Sequence, residues 1–163
     1  MTHISPQTET AIIAAGCFWG VEETFRVLPG VISTEVGYTG GDTEFPTYET
    51  VCSGVGGHAE ALRIVFDPEK ISFAELIKVF FANHNPTTKD QQGPDFGSQY
   101  RSAIFFTTPK QEKEAIEAKK KEDTSGKWKH PVVTEIMPAT TFYPAEAYHQ
   151  KYLQKRGLGS CHI

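Results

Sequence analysis

The chain has 163 residues, 39% of them hydrophobic and 22% charged, which suits one soluble globular domain with a sizeable core. A formal net charge of -4, with the lysines gathered mainly between Lys110 and Lys121, argues against a nucleic-acid partner. No apolar run approaches membrane-spanning length and the polar amino terminus lacks the basic and apolar regions of a signal peptide, so a cytoplasmic protein is expected, and a mild net charge with no evident helical zipper makes a monomer the expectation.

Residues 1–9 read as a loose terminus. Apolar spacing then predicts a strand over Thr10–Ala15 and a helix over Val21–Leu28, closed by Pro29 and Gly30. Between the two stands Gly16-Cys17-Phe18-Trp19-Gly20, one thiol set among glycines and large aromatics at or beside the helix N-terminus. Backbone N–H groups there stabilise an anion and favour the reactive thiolate. A cysteine packed as a small hydrophobe at a strand end fits the same position.

A second strand is predicted over Val31–Thr39, followed by a long irregular stretch, Gly40–Gly57, which carries Tyr48, Glu49 and Cys52 among its glycines. His58 follows it and reads as a histidine hydrogen-bonded in a turn; Cys52 reads as a packing residue. Glu60 sits near the start of the third predicted strand, Ala59–Phe66. Pointing inward it would be desolvated, with its pKa raised toward that of a neutral general acid; pointing outward it is an ordinary strand-end carboxylate.

Ser72-Phe73-Ala74-Glu75 has capping-box spacing and leads into a helix through Phe81. The second long irregular stretch, His84–Arg101, contains Asp95 and ends with Tyr100 at the mouth of a strand, Ser102–Thr107. Tyr48 and Tyr100 each suit a buried ring with a bonded hydroxyl, and two phenols beside a thiolate and a carboxylic acid also suit charge developing on a substrate oxygen. Thr108-Pro109 start the lysine-rich helix that Gly126 ends, a strand is predicted over Val132–Met137, and a last helix over Ala145–Gln154. Residues 155–163 read as a flexible tail bearing Cys161, either with the reach to meet Cys17 or as an inert terminus. Cys17, Cys52 and Cys161 form neither an even disulfide framework nor a closely spaced metal knuckle. The β-α-β, β-α-β order predicts an α+β two-layer sandwich of ferredoxin-like type over residues 1–163, with long functional loops.

Five segments taken together, GCFWG at 16–20, PTYETVCSG at 46–54, GHAE at 57–60, DFGSQYRS at 95–102 and FYPAEAYHQKYL at 142–153, resemble the peptide-methionine sulfoxide reductase A family across nearly the whole chain. The resemblance implies thiol-dependent reduction of methionine-S-sulfoxide, free or in proteins, as a repair activity after oxidative damage. It implies Cys17 as nucleophile and Glu60 as acid, with Tyr48 and Tyr100 holding the sulfoxide oxygen. It likewise implies Phe18 and Trp19 as the pocket for the S-methyl group and Asp95 as a supporting polar group. Cys161 is implied as the thiol that converts a Cys17 sulfenic acid to a disulfide, recycled by thioredoxin, with no metal, flavin or nucleotide cofactor. Two residues depart from the family pattern: Phe45 where asparagine is common, and Gly56 where threonine is usual.

Two rival readings remain at this level. One is a cysteine acyl-transfer enzyme with His58 or His149 as base; the other is a zinc module built from Cys17, Cys52, His58, Cys161 and His162.

Overall fold

The computed structural model describes residues 7–157. Its frame is a sheet of β1 (Glu9–Ala15), β2 (Val31–Thr39), β3 (Ala59–Phe66), β6 (Ser102–Phe106), β7 (Glu135–Pro138) and β8 (Tyr143–Pro144). The spatial order is β7-β6-β1-β3-β2-β8. All neighbours are antiparallel except β6 and β7. The remaining two strands, β4 (Gln91–Gln92) and β5 (Asp95–Phe96), form a separate small hairpin. The helices are α1 (Phe18–Arg26), α2 (Tyr48–Cys52), α3 (Phe73–Ala82), α4 (Pro109–Asp123) and α5 (Tyr152–Lys155).

Strand period 2 sorts the core into two faces. Ala11, Ile13, Val36, Tyr38, Leu62, Ile64 and Ile104 pack with Phe18, Val21 and Phe25 of α1 and Leu76, Ile77 and Phe80 of α3. Ile12, Ala14, Ala59, Ala61, Ala103 and Phe105 form the smaller opposite face, covered by Ala139 and Phe142. Because Ala59 and Ala61 belong to the second face, Glu60 between them is turned toward the helical layer.

Local chemistry explains most boundaries. Gly16, at φ 100°, makes the turn from β1 into α1, a conformation that side chains disfavour. Helix α1 begins three residues before its expected start and ends two before its expected end, so that Cys17 is its N-cap. The Ser72–Glu75 capping box forms as the spacing predicts: Glu75 N–H donates to Ser72 Oγ at 3.0 Å, and Ser72 N–H to Glu75 Oε1 at 3.3 Å. Thr108 caps α4, with Pro109 at its first turn.

Three expectations need correction. The stretch Gly40–Gly57 is not structureless, because Thr47 and Thr50 form a second capping box that nucleates α2. Strand β7 begins at Glu135 and not at Val132, since the N–H groups of Val132 and Val133 go instead to Asp123 Oδ1, on the last residue of α4, and to the Pro86 carbonyl, both outside the sheet. The helix expected over Ala145–Gln154 is absent. That segment is a 3-10 turn, Ala147–His149, an extended Gln150, a left-handed Lys151 at φ 52° and only then α5.

The reason is that its side chains are committed elsewhere. Glu146 accepts from the Tyr38 hydroxyl at 2.8 Å and the Tyr48 N–H at 3.0 Å. Gln150 pairs with both backbone groups of Val36 at 2.9 Å, and Lys151 N–H reaches Glu22 Oε1 at 2.6 Å. These bonds strap residues 145–155 across α1, α2 and β2, outweighing a weak local preference for helix.

Candidate active site

The site forms where β1, α1, β3 and the two long loops converge. Cys17 ends the Gly16 turn, half-buried, with φ -57° and ψ 119°, and its carbonyl accepts the Val21 N–H at 3.4 Å. The next N–H, that of Phe18, donates to Glu60 Oε1 at 3.2 Å. A carboxyl on the central strand is thereby tied to the residue beside the thiol.

Glu60 is 1% exposed, and its Oε2 has no hydrogen-bond partner among the described residues. Desolvation pushes its pKa up to about 8; the Asp95 charge adds to this, and the Phe18 N–H opposes it. The carboxyl is therefore protonated at neutral pH. Tyr100 closes the 3-10 turn Ser98–Tyr100 that follows β5. Burial raises its phenol pKa, as do the neighbouring Glu60, Cys52, Asp95 and Cys17, which places these five groups in one electrostatic neighbourhood. Tyr48 is raised too, first by desolvation, then by its hydrogen bond to the Cys52 thiol, with Glu60 and Tyr100 adding. Both phenols stay protonated donors.

Phe18 is buried, and its ring lies 5.7 Å from Tyr38 and 5.1 Å from His149. Trp19 is half-buried and packs against the core from the strap side, its indole N–H donating to His149 Nδ1 at 2.9 Å. Thus Cys17, Phe18, Trp19, Tyr48, Glu60, Asp95 and Tyr100 come together. Cys161 lies outside the described residues, as does His162.

Cys52, expected to pack, is exposed at the end of α2, where its neighbour is the Tyr48 hydroxyl. Its thiol pKa is pushed up, chiefly by desolvation and further by Glu60, Glu49 and Glu146, against the Tyr48 bond. His58 is bonded in a turn as expected: Nδ1 accepts from Gly41 N–H at 3.1 Å, and Nε2 meets the Thr43 carbonyl at 2.7 Å. With His149 Nδ1 taken by Trp19, neither imidazole is arranged as the base of an acyl-transfer enzyme, and His58 has no nitrogen left for zinc.

Tyr38 and Glu146 escaped the sequence reading. Tyr38 reads as one more apolar strand residue, and Glu146 sits in a segment with the composition of a helix. The usable signal was the density of aromatic and hydrogen-bonding side chains in residues 142–153, which is far above what a surface helix needs.

Comparison with known proteins agrees with this geometry. Residues 9–163 match the family model for peptide methionine sulfoxide reductase. A peptide methionine sulfoxide reductase MsrA of Methanoculleus marisnigri is 54% identical over 153 residues, 94% of this chain and 93% of that one. The crystal structure of Mxr1 from Saccharomyces cerevisiae in reduced form superposes with a TM-score of 0.88 at 35% identity, covering 99% of this chain and 94% of the other. Mxr1 in complex with Trx2 gives a TM-score of 0.63 at 27% identity, over 93% and 89% of the two chains. The chain belongs to the peptide methionine sulfoxide reductase family.

Proposed function

We propose that this protein reduces methionine-S-sulfoxide, free or within oxidised proteins, to methionine, and that thioredoxin returns it to the reduced state. The observation that carries the reading is the buried Glu60 carboxyl, neutral at physiological pH, bonded through one oxygen to the N–H beside Cys17 and with its other oxygen unmatched among the described residues.

In this mechanism the Cys17 thiolate attacks the sulfoxide sulfur while Glu60 transfers its proton to the sulfoxide oxygen. Tyr48 and Tyr100 donate hydrogen bonds to that oxygen as negative charge develops on it. In the adduct so formed the new S–S bond and the substrate S–O bond break as the hydroxyl passes to the Cys17 sulfur, so the methionine thioether leaves, Cys17 becomes a sulfenic acid, and two electrons pass from the enzyme sulfur to the substrate sulfur. Phe18 and Trp19 receive the S-methyl group, and Asp95 supports the polar side of the site. The Cys161 thiol then condenses with the sulfenic acid, releasing water and forming a Cys17–Cys161 disulfide, which a thioredoxin dithiol reduces by exchange. The complex of the related Mxr1 with Trx2 supports that choice of reductant. No residue in this scheme needs a metal, flavin or nucleotide.

The whole chain, 1–163, is taken as the catalytic unit, working as a monomer in the reducing cytoplasm, where a thioredoxin couple is maintained. Among the described residues no helix is long and apolar enough to cross a membrane.

The test is Cys17→Ser assayed with methionine-S-sulfoxide. Loss of methionine formation is expected, and retained turnover would end the assignment. Intact mass and peptide mapping of the parent enzyme after one turnover without reductant should show a single new disulfide joining Cys17 to Cys161.

A further inference from the structure

Tyr100 hangs from one pair of residues in the sheet. Ala15 and Ser102 are the last pair in the antiparallel register of β1 and β6. Two residues beyond Ala15 lies Cys17, and two residues before Ser102 lies Tyr100, so both leave the sheet from the same point. The Cys17 charge accordingly acts on the Tyr100 phenol. Within the 3-10 turn the backbone bonds are local: Tyr100 N–H donates to the Gly97 carbonyl at 3.0 Å, and Arg101 N–H to the Ser98 carbonyl at 3.2 Å. They fix the shape of the turn but not its place on the sheet.

That place is set at Ser102, from the side of α3. His84, 4% exposed, follows the end of that helix, and its Nδ1–H donates to the Phe80 carbonyl, a group of the last turn, at 2.6 Å. A carbonyl can only accept, which puts a proton on Nδ1; in the neutral ring Nε2 then accepts from the Ser102 hydroxyl at 2.7 Å. With its one proton so placed, Ser102 Oγ accepts from Thr134 Oγ1 at 2.8 Å. All three side chains are buried, and the rings of Phe80 and Phe81 lie 4.3 and 6.3 Å from the imidazole. The bond from His84 to Ser102 therefore closes the base of the loop 85–101, joining the residue before it to the residue after it. A second tether, the Arg101 guanidinium to Glu135 at 3.2 Å, lies on the exposed side, where an ion pair holds weakly.

We propose that His84 is a positioning residue: by bonding Ser102 it fixes where β6 begins, and thereby holds the Tyr100 hydroxyl within reach of the sulfoxide oxygen. This rests on the role given to Tyr100 above. Both imidazole nitrogens are spent on Phe80 and Ser102, so the effect of His84 on the reaction runs through the place of Tyr100. With the Ser102 bond gone, β6 frays from its first residue, and a hydroxyl displaced by about 1 Å no longer meets the oxygen as charge develops on it.

The test compares His84→Asn with His84→Gln. The Asn amide can stand where Nδ1 stands and keep the Phe80 bond, whereas the Gln oxygen can stand where Nε2 stands and keep the Ser102 bond. For His84→Asn the single-turnover rate at saturating methionine-S-sulfoxide is expected to fall about tenfold with KM unchanged, less than the roughly 10²–10³-fold fall expected when Tyr100→Phe removes the donor outright. His84→Gln should keep most of the rate, and His84→Asn should add nothing in a Tyr100→Phe background. A role confined to capping α3 gives the opposite order, with Asn near the parent and Gln impaired. That order, two variants equally impaired, a full rate in His84→Asn, a change confined to KM, or an equal fall in the Tyr100→Phe background would overturn the proposal.

Ser102→Ala keeps the test open if the His84 variants do not fold. It deletes one buried oxygen from the strand, and the same fall of about tenfold in single-turnover rate is expected, again absent in a Tyr100→Phe background; a full rate would overturn the proposal. Were Tyr100→Phe to retain the parent rate, the role of Tyr100 and this inference would fall together. A full rate in His84→Asn beside an impaired Tyr100→Phe would remove this inference and leave the functional reading standing, so the two failures are distinguishable.

Discussion

The Phe18 N–H and Glu60 Oε1, 3.2 Å apart, join the first turn of α1 to the central strand β3, and with it the residue after the thiol to the buried acid. That bond alone favours the ionised carboxylate, yet desolvation outweighs it and leaves the pKa at about 8. The single-turnover rate should therefore fall above pH 8 by roughly tenfold per unit, as the acid loses its proton. Glu60→Gln should lower the rate about 10²–10⁴-fold and abolish this alkaline limb. A limb that persists in the variant would assign it to another group.

The same raised pKa makes Glu60 a stability liability. Its folded-state value of about 8 stands above its ordinary 4.5, so the folded state binds the proton more tightly than the unfolded one. The associated stabilisation is complete below pH 4.5 and is lost as pH rises to about 8. Glu60→Gln, which cannot ionise, should unfold several °C above the parent at pH 9 and close to it at pH 4. Scanning calorimetry at the two pH values checks this, and an equal difference at both would sink it.

The central frame of the fold was legible because it rests on local signals. The apolar run of β3, the Ser72–Glu75 box and the Thr108-Pro109 start each act within a few residues, and all three form as read. Residue by residue the site was not legible, since Cys17, Glu60, Tyr48 and Tyr100 each fit a structural use as well; it was the five motifs in order, and the resemblance they carry, that linked residues 40 or more apart in sequence. The strap was not legible either. Residues 145–154 carry a helix-compatible composition, and what defeats the helix is bonding to Tyr38, Tyr48, Val36 and Glu22, partners about 100 residues away or more. No local pattern encodes such partners.

Glu146 shows what the strap contributes. Burial pushes its carboxyl pKa up, but the N–H groups of Tyr48 and of Glu146 itself, together with the Tyr38 hydroxyl, more than offset this and hold it below the ordinary range. Glu146→Ala leaves the Tyr38 hydroxyl without its acceptor inside the core and frees the N-terminus of α2. A loss of roughly 2 kcal/mol in urea unfolding is expected, shrinking when Tyr38→Phe is combined with it. Because the folded pKa is depressed, the stabilisation is full above pH 4.5 and fades as pH falls through the folded value. KM should also rise, since α2 carries Tyr48.

Both departures from the family pattern fall at left-handed backbone positions. Phe45, 81% exposed, has φ 49°, a conformation costly for a bulky side chain and easier for asparagine, the residue common there in the family. Phe45→Asn should stabilise the protein by about 1 kcal/mol and leave KM unchanged. Gly56, at φ 85°, folds against Thr43 so closely that a Cβ would collide with its side chain. Gly56→Ala should therefore destabilise, and a neutral result in thermal unfolding would count against the backbone argument.

Recycling separates the two remaining cysteines. Cys52 is exposed at the end of α2, but its own pKa is pushed up by desolvation and by three carboxylates, which lowers the thiolate fraction available to attack a sulfenic acid. Cys161 lies outside the described residues, and the resolving role proposed for it is the one the family resemblance implies. For Cys161→Ser, one equivalent of methionine per enzyme and no thioredoxin-dependent turnover are expected. Cys52→Ser should recycle normally, because its sulfur serves only as a neighbour of the Tyr48 hydroxyl. Steady-state turnover with thioredoxin in Cys161→Ser would transfer the resolving role to Cys52, and a peptide map showing Cys17 joined to Cys52 would identify the bond responsible.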